Sequence, residues 1–193
     1  MSIALFVDGY FAYKCYHPKK LDFLKLRSHL EHELDDSIDE AYYFCSEPKD
    51  PGVRKFFNAL SLPPPKGPGF RIKQYWTREI ELHWPGKLGG ERVIHPSSGL
   101  PYVQIQQKAV DVGLAYHLGR SFSKRQWDKL VLFGGDADFH EPVQHLVEYE
   151  NVDLYLVGVL AKISETLRGF ARRIYEVDEE PLAKDLEWSP GNG

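Results

Sequence analysis

Four aspartates stand where the ends of apolar runs would put them within reach of one another. Residues 130–133 (L-V-L-F) form an unbroken apolar run that passes through Gly134 and Gly135 into Asp136 and Asp138, and residues 3–7 (I-A-L-F-V) form a second that ends in Asp8 and Gly9. Apolar runs bounded by glycine read as parallel strands covered on both faces. Ligands of open α/β sheets collect beyond the carboxyl ends of such strands. If both strands lie centrally in one sheet, Asp8 and Asp136 emerge at the same edge. In residues 104–118, Val110 and Leu114 mark a helix face, and a helix starting opposite those strand ends would bring in Asp111 as a third acid. Carboxylates gathered in this way repel one another unless a cation sits among them. Oxygen-only ligands suit Mg²⁺ or Mn²⁺ better than zinc, and such a centre activates water and stabilises a phosphoryl transition state. Lys108, three residues before Asp111, could add positive charge against that state. The implied chemistry is phosphodiester hydrolysis. Each residue also has a plainer role open to it. Asp136 or Asp138 can cap the helix that Pro142 begins, Asp8-Gly9 can be a turn, and Lys108 with Asp111 can be a surface ion pair.

The elements that must position these groups alternate between strand and helix. Residues 21–34 carry leucines at helical spacing, residues 41–45 (A-Y-Y-F-C) read as a strand, and residues 53–60 as a short helix. After the central strand and a helix through Tyr149, residues 152–159 (V-D-L-Y-L-V-G-V) read as another buried strand. Ser164 is placed to cap a helix running towards Arg173, with a last short strand over 174–177 and a frayed tail over 187–193. Alternation at this spacing predicts an α/β fold with a central, mostly parallel sheet between helical layers. The pair His29 and His32, with Glu33, has i, i+3 spacing, but without a third convergent ligand it reads as a solvated helix face.

Residues 62–101 interrupt this rhythm. Pro63, Pro64 and Pro65 break regular structure, and residues 70–83 then alternate like a strand, with Arg71, Lys73 and Arg78 interleaved with Tyr75 and Trp76. Residues 91–95 are placed to pair back as the second arm of an inserted hairpin. Basic and aromatic side chains so mixed suit phosphate contacts and base stacking on single-stranded nucleic acid. An exposed flap whose aromatics pack on the body is the plainer alternative.

Composition bounds these readings. A chain of 193 residues, 42% hydrophobic and 13% aromatic, suits one folded domain with a real core, here residues 1–178 followed by a tail over 179–193. No apolar run approaches the roughly 20 residues that span a bilayer, and the N-terminus lacks the basic region of a signal peptide, so a cytoplasmic location is expected. The two cysteines are expected to be free thiols. A net charge of −4 and a pI near 6.1 argue against a protein that coats nucleic acid by bulk charge. Local patches must carry any such binding.

Three motifs in order resemble the NYN domain, a branch of the PIN-like nucleases: F-V-D-G at residues 6–9, K-A-V-D-V at 108–112 and G-D-A-D-F at 135–139. The strand over 152–159 and the pair Ser164 and Leu167 also fit, so the resemblance spans residues 2–177. It implies a Rossmann-like, PIN-type three-layer fold and a Mg²⁺- or Mn²⁺-dependent ribonuclease acting on RNA, with Asp8, Asp111, Asp136 and Asp138 as metal-binding and catalytic acids. Lys108 matches a recurrent basic position. Three positions depart from the family pattern. Phe11 stands where an asparagine is expected, His117 where a further acid often lies, and Gly134 where a hydroxyl residue often precedes G-D. The four acids favour a nuclease, whereas the lost asparagine favours a nucleic-acid-binding regulatory module with weak or no catalysis. Self-association is compatible with either.

Overall fold

A computed structural model of the chain describes residues 2–48, 50–86, 90–107, 109–125 and 127–188. Six parallel strands form its central sheet: β1 (Ile3–Asp8), β2 (Ile38–Ser46), β3 (Arg71–Tyr75), β6 (Lys129–Phe133), β7 (Asp153–Gly158) and β8 (Ala171–Glu176), in the order β3-β2-β1-β6-β7-β8. Between β3 and β6 the chain makes a separate antiparallel pair, β4 (Thr77–Glu81) with β5 (Val103–Gln107). Strand order therefore runs outwards from β1 in one direction and, from β6, outwards in the other. The reversal lies between β1 and β6, the position at which open α/β sheets form their ligand crevice.

Both predicted central strands are buried along their length, and Ile3 to Val7 and Leu130 to Phe133 are solvent-free. Alternate residues of each strand face opposite helical layers. On one face Phe23 of α2 (Phe23–Glu33) and Phe56 and Phe57 of α3 (Pro51–Ser61) pack around Tyr43. Phe11 of α1 (Gly9–Tyr16) meets the edge of Phe133 on that same side. On the other face Phe6, Tyr42 and Phe44 form a cluster with Trp127 and with His117 of α4 (Val110–Arg125). α5 (His140–Glu148) buries Val143 and Leu146 beside it. α6 (Glu165–Arg168) and α7 (Leu182–Asp185) complete the chain.

Three sequence expectations are corrected. The alternating run over 70–83 is two strands in different sheets. Its first half pairs in parallel with β2, Tyr42 opposite Arg71 and Ser46 opposite Tyr75, and only its second half enters the hairpin. The main partner of β4 is Val103–Gln107, not residues 91–95, which contribute the isolated bridge His83–Arg92. The helix that follows begins at Val110, with Asp111 in its first turn as the sequence places it. Finally, the helix after Ser164 ends at Arg168, because Ala171–Glu176 joins the sheet against β7. In the tail, Glu187 bridges to Leu21 and the Trp188 N–H donates to the Lys20 carbonyl at 2.9 Å, while residues 189–193 lie outside the described residues.

The His29–His32 pair does not converge on a ligand set: His29 meets the ring of Tyr175, and the neighbouring Glu33 pairs with Arg173. Cys15 and Cys45 are both free thiols. Among the described residues no helix is long and apolar enough to cross a membrane.

Candidate active site

Asp8 ends β1 and caps α1. Its Oδ1 accepts the N–H groups of Tyr10 at 3.0 Å and Phe11 at 3.2 Å, so a turn residue and a helix cap are one side chain. It is only 8% exposed. Burial outweighs those two hydrogen bonds, and with the charges of Asp111 and Asp136 it pushes the Asp8 carboxyl up to about 6. Asp136 follows β6 and caps the single 3₁₀ turn Ala137–Phe139, accepting the Asp138 N–H at 3.0 Å. Asp111 lies in the first turn of α4, just after Ala109, whose φ of +62° is unusual for a residue with a side chain. Burial, then the charges of Asp136 and Asp138, raise the Asp111 carboxyl as well.

Asp8, Asp111 and Asp136 thus line one cleft of about 750 Å³ at the reversal between β1 and β6. Asp138 is not on its wall, although its charge reaches Asp111. Lys108 lies outside the described residues. Also on the wall of the cleft are Lys14 on α1 and Lys162 with Ser164 in the loop after β7, none of which stands out for the site in the sequence. Lys162 Nζ donates to the Lys14 carbonyl, and Lys14 Nζ stands 4.1 Å from the centre of the Tyr10 ring. One signal does point to Lys162 and Ser164: β7 is a buried strand like β1 and β6, so the residues after it must emerge at the same edge.

Phe11 forms an apolar part of the cleft wall where the family pattern has a polar side chain. Its ring occupies the space left by two glycines. A Cβ on Gly135 would lie 2.4 Å from Phe11 Cε2 and 2.6 Å from the Lys162 carbonyl oxygen, and one on Gly158 would lie 2.7 Å from Phe11 Cε1. The Ser164 N–H closes this corner by donating to the Gly135 carbonyl at 2.9 Å.

The five residues assigned to substrate are divided by the fold. Arg71, Lys73 and Tyr75 alternate along β3 in the main sheet, Trp76 follows at the junction with 59% exposure, and Arg78 is exposed on β4. Arg71 is engaged structurally. Its Nη1 donates to Glu40 Oε1 at 2.8 Å and to the Tyr42 hydroxyl at 3.0 Å. Buried Glu40 also accepts from the Ser121 hydroxyl, which in turn accepts the Trp127 indole N–H at 2.9 Å.

The order of strands, the acid-ended β1 and β6, and Asp111 on the facing helix agree with the comparison of sequences: the sequence model of the NYN domain matches residues 2–178. The chain belongs to the NYN family. It is thereby a PIN-like, nuclease-type domain. A crystal structure of a protein of unknown function from Vibrio parahaemolyticus is similar in fold, with a TM-score of 0.64 and 20% identity over 97% of this chain and 96% of that one. No functionally curated protein matches the chain.

Proposed function

We propose that this NYN domain is a metal-dependent ribonuclease that hydrolyses single-stranded RNA at the cleft between β1 and β6. The supporting observation is negative charge gathered without an equal countercharge: Asp8 and Asp111 both have raised carboxyls, each partly because of other acids of the same cluster. The donors are oxygen only, the chemistry that Mg²⁺ or Mn²⁺ selects. Among the described residues no three His, Cys, Asp or Glu side chains gather closely enough to hold an ion by themselves. A small cation that keeps several waters and takes one or two carboxylates suits that spacing. Asp8, Asp111 and Asp136, with Asp138 beside them, are the acids that would hold it, one or two directly and the others through its waters. Once bound, the cation would supply an acidified water and neutralise phosphate charge.

The chain's own residues do the remaining work. Lys14 and Lys162, on the wall of the same cleft, meet phosphate oxygens, a role that the second motif also assigns to Lys108. The Asp8 cap fixes α1, and with it Lys14, relative to the end of β1. The free thiols support the assignment of this activity to the cytoplasm.

Phe11 supports a second reading, a nucleic-acid-binding regulatory module without turnover, because the ring removes a polar group from the cleft. Cleavage of single-stranded RNA across a Mn²⁺ titration separates the two. Wild type should cleave only with metal, and Asp136→Asn should be slower by about a hundredfold or more. Binding without cleavage by wild type would establish the second reading, and equal cleavage by both proteins would show that neither cuts at this cleft.

A further inference from the structure

α4 runs antiparallel to β3, and three of its residues at four-residue spacing follow three alternate residues of the strand. A Cβ on Gly113 would lie 2.0 Å from the Tyr75 hydroxyl, so the tyrosine abuts the helix backbone there. One turn on, the charges of Lys73 and Arg120 act on His117, which packs against the Tyr42 and Phe44 rings. A further turn on, Ser121 reaches the Glu40 to which Arg71 is paired. Asp111 stands at the start of this lane. Arg120 lies about 14 Å further along the helix at 1.5 Å per residue.

The exposed side of the lane is basic and aromatic. Lys73 Nζ lies 5.7 Å from the centre of the Tyr42 ring, and Arg120 Cζ lies 5.9 Å from that of Tyr116, which is 61% exposed. Lys124 and Arg125 are exposed in the last turn of α4. The acid beneath them, Glu40, is buried and answered by Arg71 at 2.8 Å and Arg125 at 3.5 Å. Positive charge therefore remains on a lane bounded by a sheet edge and one helix, in a chain whose net charge is −4.

We propose that the lane between β3 and α4 carries single-stranded RNA away from the carboxylate cleft, with Lys73 and Arg120 on its phosphates and Tyr116 as a platform for a base. The choice of RNA rests on the nuclease reading above. A narrow basic groove beside an exposed ring is the pattern of single-strand binding, in which charge follows the backbone and stacking tolerates any base. Arg71, held by Glu40, flanks the lane with its side chain exposed. The substrate thereby gains a direction, since the strand enters or leaves along α4 rather than over the β4–β5 hairpin.

The test is binding of fluorescein-labelled oligouridylates of graded length in EDTA, which suppresses cleavage and leaves the acids to repel the probe. Wild-type affinity should rise with length. Joint Lys73→Ala and Arg120→Ala should weaken binding of the long probe about tenfold and reduce its log–log salt slope by about 1.4, because two phosphates of a single strand are no longer neutralised. Arg172→Ala, which removes one cation at the far edge strand β8, should leave both unchanged. A double variant indistinguishable from Arg172→Ala, at matched melting temperatures, would overturn the proposal. So would equal affinity for an RNA duplex of the same length. Because no metal is present, failure of the nuclease reading would appear in the Mn²⁺ cleavage assay while this length and salt dependence stood.

Discussion

Asp8→Asn should melt higher than wild type at neutral pH and weaken less than wild type between pH 4 and 7, since the raised Asp111 carboxyl remains in both. Asp8 has a folded-state value of about 6 against an ordinary 3.8, so between those values the folded chain holds a proton that the unfolded chain has released. Stability therefore falls as pH rises through this window, and the full loss is present above pH 6. At 1.36 kcal/mol for each pH unit, the gap corresponds to about 3 kcal/mol. Asparagine caps helices about as well as aspartate, so the substitution keeps the bonds to Tyr10 and Phe11 while removing the buried charge. For a domain of this size the expected gain is on the order of 6 to 12 °C. Mn²⁺ at a hundredfold excess over its dissociation constant should return about 2.7 kcal/mol to wild type and less to the variant. Thermal melts across pH, with and without metal, read both arms. A wild type whose stability is flat from pH 4 to 7 would show that Asp8 is not held in this way.

Gly135→Ala should be among the most damaging single-methyl changes available to the chain. Its Cβ meets the Phe11 ring at 2.4 Å and, at 2.6 Å, a carbonyl oxygen of the Lys162 backbone, so no rotamer change relieves both clashes. The expected loss is about 3 kcal/mol, at the upper end for overpacking. Gly158→Ala presses mainly on the same ring, with Phe11 Cε1 at 2.7 Å and Ile163 Cδ1 at 3.4 Å. Gly158 also has a φ of +157°, where a side chain is strained whatever the space, so adding Phe11→Ala should relieve only the ring clash at each glycine, leaving backbone strain at Gly158 and the Lys162 carbonyl contact at Gly135. Denaturant melts of the singles and doubles give the two coupling energies. Full rescue of Gly135→Ala would mean that the loop after β7 moves freely and that the backbone contact places no limit on the cleft.

The strands that carry acids are legible because burial on both faces leaves an uninterrupted apolar run, and the residue that follows must sit at the sheet edge. This holds for β1 and β6, and the same logic applied to β7 reaches Lys162. Lys14 has no such signal, since one polar residue on an eight-residue helix looks like any solvated position. The hairpin is misplaced from sequence because a period of two marks extended chain but not its sheet. Residues 70–83 keep alternating through Trp76 while changing partner from β2 to β5. The arm Val103–Gln107 (V-Q-I-Q-Q) is too polar to separate from the helix that follows it. β8 is longer than its sequence suggests because Phe170 prolongs a helical spacing that in the fold stops at Arg168. The division of Arg71 from Lys73 depends on Glu40, thirty-one residues away, and no local pattern announces it.

The place of β1 also sets an order of assembly. It is the first strand of the chain, yet it pairs on one side with β2 and on the other with β6, whose first residue is Lys129. A chain emerging from the ribosome can assemble β1, β2 and β3 with their helices early. One edge of β1, flanked by solvent-averse side chains, then waits while the chain from Trp76 to Asp128 is made. Such an edge is a template for pairing with other chains, and late, long-range closure is slow. The same central strand that brings Asp8 beside Asp136 therefore leaves the nascent sheet with an open inner edge until β6 arrives.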